Sequence, residues 1–221
     1  MPASSADRLP LRFWLIAAIA FINAVSFTSI IPLIYPYAKT FGLSDFTASL
    51  LTTVYAVSQF LATPILGKWS DCWGRKPLLV ISLLGTVVAN VLSGLATTAW
   101  LLFLSRTLDG LTGGNNSIAT AVISDTTTAT QRPRAFGLFD AAFRLGFMTG
   151  PTLSYLAQTV PPFPGVSSLG MSFFAAALIA LVATILTAIA LPETLDAPRP
   201  IRFTWSDFGV IKIAQSIHRP K

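Results

Sequence analysis

Charged side chains are scarce in this 221-residue chain, of which they make up only 11%. A soluble domain carries about 25% charged residues, because most of its surface faces water. Cysteine and histidine are rarer still, with one residue each, Cys72 and His218. A single cysteine excludes an internal disulfide and a metal cluster built from cysteines. The sequence therefore predicts a protein whose surface mostly faces something other than water.

The place of the histidine also excludes a six-helix intramembrane serine protease. Such an enzyme needs a Gly-x-Ser-Gly nucleophile and a histidine base inside the membrane. His218 lies in a polar tail, and the sequence contains no Gly-x-Ser-Gly stretch. We therefore expect a protein that is not an enzyme and that holds neither a cofactor nor a metal.

Long apolar runs are what the chain does contain, since hydrophobic residues make up 53% of it. A membrane-spanning helix needs about 20 apolar residues, and six segments qualify. They predict an all-α membrane domain over residues 13–191, between a cytoplasmic N-terminus at 1–12 and a cytoplasmic tail at 192–221. The predicted helices are Phe13–Tyr35, Ser49–Leu66, Leu78–Thr97, Trp100–Ile123, Ala135–Leu156 and Leu169–Leu191.

The cations are distributed unevenly between the two sides of these helices. With the N-terminus inside, twelve of the fifteen Lys and Arg residues fall on the cytoplasmic side. Lys39 alone lies outside, and Arg106 and Arg144 fall within spans. Because positive residues accumulate in cytoplasmic loops, both termini are predicted to be cytoplasmic. The net charge of +6 then indicates a protein set in a lipid bilayer and needs no nucleic-acid partner.

A short charged loop, 67–77, separates the second and third apolar runs. It matches the pattern G-x-x-x-D-x-x-G-R-[RK] at Gly67, Asp71, Gly74, Arg75 and Lys76. This pattern resembles the signature between helices two and three of the major facilitator superfamily. The resemblance implies a loop whose Asp helps to hold a cytoplasmic gate, joined by Asp125 at the end of the fourth helix. A basic loop that only fixes the topology is the alternative.

The fourth predicted helix carries R-x-x-x-G-x-x-x-[GA] at Arg106, Gly110 and Gly114. This resembles a second signature of the same superfamily, in which the Arg serves proton coupling in antiporters. The two glycines, four residues apart, suit close helix packing. Charges inside a membrane cost about 2.5–3.5 kcal/mol each on insertion scales, so Arg106 and the neighbouring Asp109 are candidates for function. The alternative is an Arg106 side chain that reaches the outer interface.

The fifth predicted helix carries Gly146, Gly150 and Pro151, which resemble the antiporter signature G-x-x-x-G-P-x-x-G-G. The final glycine pair of that signature is replaced by Ser154 and Tyr155. Proline removes a backbone donor, so the helix is expected to bend within the membrane.

Asp140 and Arg144 lie one turn apart on this helix, with the acid first, which favours an ion pair. We hypothesise that Arg144 and Asp109 face each other across the fourth and fifth helices, or that these two residues share an anionic substrate with Asp140. An internal ion pair that only fixes packing is the alternative. Asp109 and Asp140 are both candidates for proton coupling. Asn23 and Gln59 could hydrogen-bond a substrate, or could form interhelical hydrogen bonds instead.

Together the three signatures resemble the N-terminal six-helix half of a major facilitator fold, in which helices 1–3 and 4–6 form inverted repeats. The resemblance implies a secondary transporter, similar to the tetracycline-resistance type of drug and metabolite proton antiporter. Such a protein moves a small molecule by alternating access. The family's usual plan has twelve helices, so we expect either a fragment or a protein that pairs with a second six-helix half, such as another copy. A truncated, non-transporting or regulatory membrane protein is the alternative.

Overall fold

A computed structural model describes residues 9–195, and all of the regular structure in that range is helical. This confirms the predicted all-α class. The predicted tail beyond residue 195 and the first eight residues lie outside the described range. The α-helices are α1 Leu11–Ile30, α2 Ile34–Thr40, α3 Asp45–Trp73, α4 Arg75–Gly94, α5 Ala99–Thr112, α6 Asn115–Thr126, α7 Arg132–Gln158 and α8 Ser168–Ala190.

These helices form six rods, two of which are interrupted. A 3₁₀ turn at Ile31–Leu33, which contains Pro32, joins α1 and α2 into rod 1. Helices α5 and α6 together make rod 4, and α3, α4, α7 and α8 are rods 2, 3, 5 and 6. The connections between rods are short, so successive rods run in opposite directions.

The predicted continuous fourth helix is wrong, because the chain breaks between α5 and α6. Gly113 and Gly114 separate the two helices, and glycine costs a helix interior about 1 kcal/mol relative to alanine. At the break, the Gly113 carbonyl oxygen accepts a hydrogen bond from Gln59 Nε2 at 2.9 Å. This bond ties rod 4 to rod 2 at the level of the break.

The predicted loop at residues 67–77 is also wrong in its extent. Helix α3 continues to Trp73, and α4 begins at Arg75, so Gly74 alone connects them. Gly74 has φ 108°, a conformation that residues with a side chain rarely adopt. The apolar run defined only the part of α3 that suits lipid, whereas the helix itself extends through the charged residues beyond it.

Four of the six rods are long and apolar enough to cross a membrane, namely rods 1, 2, 3 and 6. Rod 5 is long enough at 27 residues, but it carries Asp140 and Arg144 in addition to two arginines at its start. Rod 4 is divided into helices of 14 and 12 residues. Rods 4 and 5, which are not long and apolar enough by this measure, are also the rods with charged residues near their middle. These are Arg106 and Asp109 in rod 4 and Asp140 and Arg144 in rod 5.

The packing of the rods repeats after three. The most extensive contacts join rod 1 to rod 5, rod 2 to rod 4, and rod 3 to rod 6. Exchanging rods 1–3 with rods 4–6 converts the first pair into the second and leaves the third unchanged. An odd number of rods in each repeat inverts the second repeat relative to the first, as in the inverted repeats of many transporters.

Two apolar clusters fill the inside of this unit. One includes Phe13, Leu79 and Ile118, and the other includes Leu51 and Phe173. Along rods 1, 3 and 4 the residues between the clusters are largely polar, and several of them are fully buried. The polar centre of the molecule therefore lies between two apolar layers.

Candidate functional site

A buried ion pair occupies the polar centre. Arg106 Nη1 lies 3.2 Å from Asp109 Oδ2, and the side chains are 2% and 4% exposed. The two residues are three positions apart on α5, so one face of the helix presents both. The alternative in which Arg106 reaches the outer interface is therefore wrong.

Rod 3 supplies two hydrogen-bond partners of Arg106, and rod 6 supplies an aromatic ring. Arg106 Nη2 donates to Ser93 Oγ at 3.2 Å and to Asn90 Oδ1 at 3.4 Å. Ser93 also contacts Ser105, with the two hydroxyl oxygens 2.7 Å apart. The guanidinium carbon lies 5.8 Å from the centre of the Phe173 ring, within the range of a cation–π contact. Sequence reasoning missed Ser93, Ser105 and Phe173, because their role depends on the packing of rods 3, 4 and 6.

Asp109 lies at the wall of a cavity of about 230 Å³. Rod 1 contributes Asn23 and Phe27 to this cavity, and rod 2 contributes Tyr55 and Gln59; the other lining residues are Thr86, Gly113, Asn115, Asn116 and Phe143. Within the cavity the Gln59 amide donates to Tyr55 Oη at 3.0 Å, and Asn115 Nδ2 lies 3.5 Å from Asn23 Oδ1. The structure thus brings Asn23, Gln59 and Asp109 to one space that is lined by carboxylate, amide and aromatic groups.

The hypothesis that Arg144 faces Asp109 does not hold in this structure. Asp109 pairs with Arg106, whereas Arg144 Nε donates to Asp140 Oδ2 at 2.7 Å on the exposed side of α7. The alternative of an internal ion pair is wrong for Asp140 and Arg144, whose side chains are 57% and 75% exposed. The orientation of α7 about its own axis explains why Arg144 does not face Asp109. The buried face of α7, which includes Gly146 and Gly150, packs against α1, and Asp140 and Arg144 lie on another face.

Glycines permit the close packing of rod 2 with rod 4 and of rod 1 with rod 5. A Cβ added at Gly110 would lie 2.5 Å from the Tyr55 carbonyl oxygen, and one at Gly146 would lie 2.5 Å from the Phe21 carbonyl oxygen. Gly114 and Gly150 face Leu66 and Thr28 in the same way. Pro151 lies inside α7, which is helical on both sides of it.

A second group of charges, which we call the hairpin cluster, surrounds the α3–α4 turn and consists of Asp71, Arg75, Asp125 and Glu193. Arg75 Nη1 lies 2.6 Å from Asp71 Oδ1, and Arg75 Nε lies 2.9 Å from Asp125 Oδ2. Arg75 is itself 7% exposed. One arginine thus joins rods 2, 3 and 4 at this end of the molecule. Gly67 faces open space nearby, and Lys76 takes part through its backbone.

Glu193 completes the hairpin cluster from the end of rod 6. Its carboxylate accepts the backbone N–H of Arg75 at 2.9 Å and that of Lys76 at 3.2 Å, which caps the start of α4. Burial alone would raise the pKa of Glu193, but the backbone N–H groups of Leu195, Arg75, Thr194 and Lys76 outweigh it and lower the pKa below the ordinary value of 4.5. In the sequence, Glu193 is recognisable only as an acidic residue just after the last apolar run, and nothing there predicts that it caps α4.

Comparisons with known proteins agree with this architecture. The sequence model of the Major Facilitator Superfamily matches residues 16–219. The chain is similar to the class B tetracycline resistance protein of Escherichia coli, at 34% identity over 179 residues, which cover 80% of the chain and 43% of that protein. It is also similar to multidrug resistance protein 1 of Bacillus subtilis (strain 168), at 34% identity over 175 residues, which cover 78% and 43%. The chain thus spans less than half the length of these relatives.

Solved structures share the fold. The human organic anion transporter MFSD10 (TETRAN) superposes with a TM-score of 0.75 at 22% identity, over 90% of this chain and 53% of that one. A bacterial homologue of the human lysosomal transporter Spinster superposes with a TM-score of 0.69 at 18% identity, over 88% and 45%. The family match and the apolar rods together identify a multi-pass integral membrane protein.

Proposed function

We propose that this chain, which belongs to the Major Facilitator Superfamily, forms one half of a proton-coupled secondary transporter for a small drug or metabolite. The observation that carries the proposal is the buried Arg106–Asp109 pair, whose acidic member Asp109 lines a cavity that also contains amide and hydroxyl groups. Intramembrane charges are expensive, and they mark substrate or proton pathways in membrane proteins. An ion pair that only fixed packing would not need its carboxylate to line a cavity.

Asp109 is the proposed proton carrier of this site. Arg106 is held by Asn90 and Ser93 on one side and by Asp109 on the other. The ionised carboxylate is favoured by the guanidinium, whereas the buried position favours the neutral acid. A proton that arrives through the cavity can thus be bound or released at the Asp109 carboxylate. Asn23 and Gln59 are proposed to bind polar groups of the substrate in the same space.

The hairpin cluster is proposed to hold a cytoplasmic gate. Arg75 joins Asp71, Asp125 and the backbone cap provided by Glu193, so the cluster holds rods 2, 3, 4 and 6 together at the end where this half is proposed to meet the second half when the gate closes. This assignment places both termini in the cytoplasm, in line with the distribution of cations in the sequence. A second six-helix half, from the same gene product or from another copy, is proposed to complete the pathway, since alternating access requires two units that rock about a central site.

The names of the relatives supply the first probe. The two curated relatives described above are a tetracycline resistance protein and a multidrug resistance protein, and we therefore propose tetracycline as a test substrate. The full-length gene product would be reconstituted into liposomes, and tetracycline uptake would be followed with and without an imposed pH gradient. We expect uptake that requires the gradient and stops when a protonophore is added. Uptake equal to that of protein-free liposomes for tetracycline and for a panel of drugs would contradict the proposal.

A further inference from the structure

The Asp140–Arg144 pair lies where a lipid-facing charge would be costly. Helix α7 begins at Arg132. At a rise of 1.5 Å per residue, Asp140 is about 12 Å and Arg144 about 18 Å from that end. The hydrocarbon core of a bilayer is about 30 Å thick, so a rod that starts at the membrane surface carries both residues deep inside it. Their exposed fractions of 57% and 75% therefore require a polar neighbour on this face of rod 5.

Arg144 keeps most of its hydrogen-bonding capacity. An arginine side chain has five N–H donors, and the bond to Asp140 uses Nε alone. Within residues 9–195, the terminal nitrogens of Arg144 make no hydrogen bond. Asp140 thus anchors the inner edge of the guanidinium and leaves the planar outer edge, which suits a carboxylate or a sulfonate, available for another partner.

The surroundings of Arg144 form a place for an apolar body. A cavity of about 490 Å³ is lined by Asp140, Phe143, Arg144, Phe147 and Met148. Phe143 also lines the cavity that contains Asp109, Asn23 and Gln59. The two cavities are therefore neighbours with one aromatic ring in common, and a bound molecule can extend from Arg144 towards Asp109.

We propose that Arg144 binds the anionic group of a transported organic anion, whose aromatic or apolar body lies on Phe143, Phe147 and Met148. This inference rests on the proposed transport function and names the substrate class for it. Asp140 is a positioning residue that orients the guanidinium, and Asp109 remains the proton carrier in the adjoining cavity. Phe143 lines both the anion site and the cavity of the proton site.

Three probes that share a naphthalene ring test this assignment. Naphthalenesulfonate is anionic, naphthylmethanol is neutral and naphthylmethylammonium is cationic. Their binding to the full-length gene product in lipid nanodiscs would be measured by equilibrium dialysis, for the wild type, Arg144→Gln and the control Arg132→Gln. Arg132 begins the same helix, and its guanidinium donates to the Ser124 carbonyl oxygen, away from the cavity.

We expect the wild type and Arg132→Gln to prefer the sulfonate over both other probes. Arg144→Gln should weaken sulfonate binding about tenfold or more, because a charge-assisted hydrogen bond is lost, and should leave the binding of the ammonium probe unchanged. The double variant Asp140→Arg/Arg144→Asp keeps an ion pair but moves the guanidinium by one turn. The double variant should lose sulfonate binding as well. If the ion pair only stabilised the helix, the swapped pair would instead leave sulfonate binding unchanged.

Three results would overturn the inference: no saturable sulfonate binding to the wild type, equal loss for all probes in Arg144→Gln, or normal sulfonate binding in the double variant. Dialysis uses no pH gradient, so the outcome does not depend on proton coupling. A protein that binds the sulfonate through Arg144 but does not transport would contradict the proposed function alone. A protein that transports but binds all probes equally would contradict the anion site alone.

Discussion

The carboxylate of Glu193 lies at the first turn of α4, where Oε1 accepts the backbone N–H of Arg75 at 2.9 Å. The two residues are 118 positions apart in the chain. The contact fastens the end of rod 6 to the start of rod 3, directly beside the ion pairs that the Arg75 side chain makes with Asp71 and Asp125. Backbone and side chain of one residue thus join four of the six rods.

Glu193→Gln should destabilise the protein in a pH-dependent way. The pKa of Glu193 is lowered in the folded state, so its contribution is present above the ordinary pKa of the carboxyl group and is lost as pH falls through the folded value. The loss at pH 7 should be about 1 kcal/mol, typical of a helix cap, and it should shrink towards pH 3. Thermal unfolding in detergent at both pH values measures it. An equal loss at both would contradict the role of the ionised carboxylate.

Arg75→Gln should loosen the end of the molecule at the hairpin cluster. Cys72, the only cysteine of the chain, lies between Asp71 and Arg75 and can report the change. We expect its rate of maleimide labelling to rise several-fold, because Arg75 loses its bonds to Asp71 and Asp125. Lys39→Gln, which removes an exposed ion pair with Asp45 at the opposite end of rod 2, is the control and should leave the rate unchanged. Identical rates in both variants would contradict the proposed gate.

Arg106→Gln should be more destabilising than the double variant Arg106→Gln/Asp109→Asn. Removing one partner of a buried ion pair leaves an uncompensated charge, which costs about 3–5 kcal/mol, whereas removing both charges avoids that cost. Thermal unfolding of the two single variants and the double variant gives the coupling energy. Additive losses would show that the two side chains do not interact in the folded protein.

Gly110→Ala should disturb the packing of rod 2 with rod 4. The added Cβ would lie 2.5 Å from the Tyr55 carbonyl oxygen and 2.6 Å from Ser58 Cβ, so the backbones have to move apart. Overpacking of this kind costs about 1–3 kcal/mol. Gly137→Ala on α7 is the control, because its Cβ would meet nothing within 4 Å. Thermal unfolding should separate the two variants, and equal stabilities would contradict the close approach.

The sequence was a good guide to features that depend on composition or on neighbouring residues. The apolar runs predicted an all-helical membrane unit, and the family signatures predicted the superfamily to which the chain belongs. The number of rods follows from the same runs. The ends of the helices cannot be predicted from the apolar runs, because α3 continues through charged residues that lie beyond its apolar run.

Features that depend on distant packing could not be predicted. The break at Gly113 and Gly114 lies within an otherwise helical pattern. Two glycines hardly change the mean hydropathy of a window of about 20 residues, so the apolar run appears continuous. Choosing the partner of Asp109 requires the rotation of α5 relative to α7, which packing against α1 and α3 determines. The cap at Arg75 depends on a carboxylate from rod 6. In each case the sequence contains the residues concerned, but it does not show which residues they contact in the fold.

Asp109 is the proposed carrier of the coupled proton, and the variant Asp109→Asn tests this role. The full-length gene product in liposomes would be assayed for two activities, exchange of tetracycline without a pH gradient and accumulation of tetracycline with one. Asparagine resembles the protonated acid, so we expect exchange to continue at a rate near that of the wild type while accumulation is lost. Asp45→Asn, which changes an exposed acid at the start of rod 2, is the control and should retain both activities. Full accumulation by Asp109→Asn would contradict the claim.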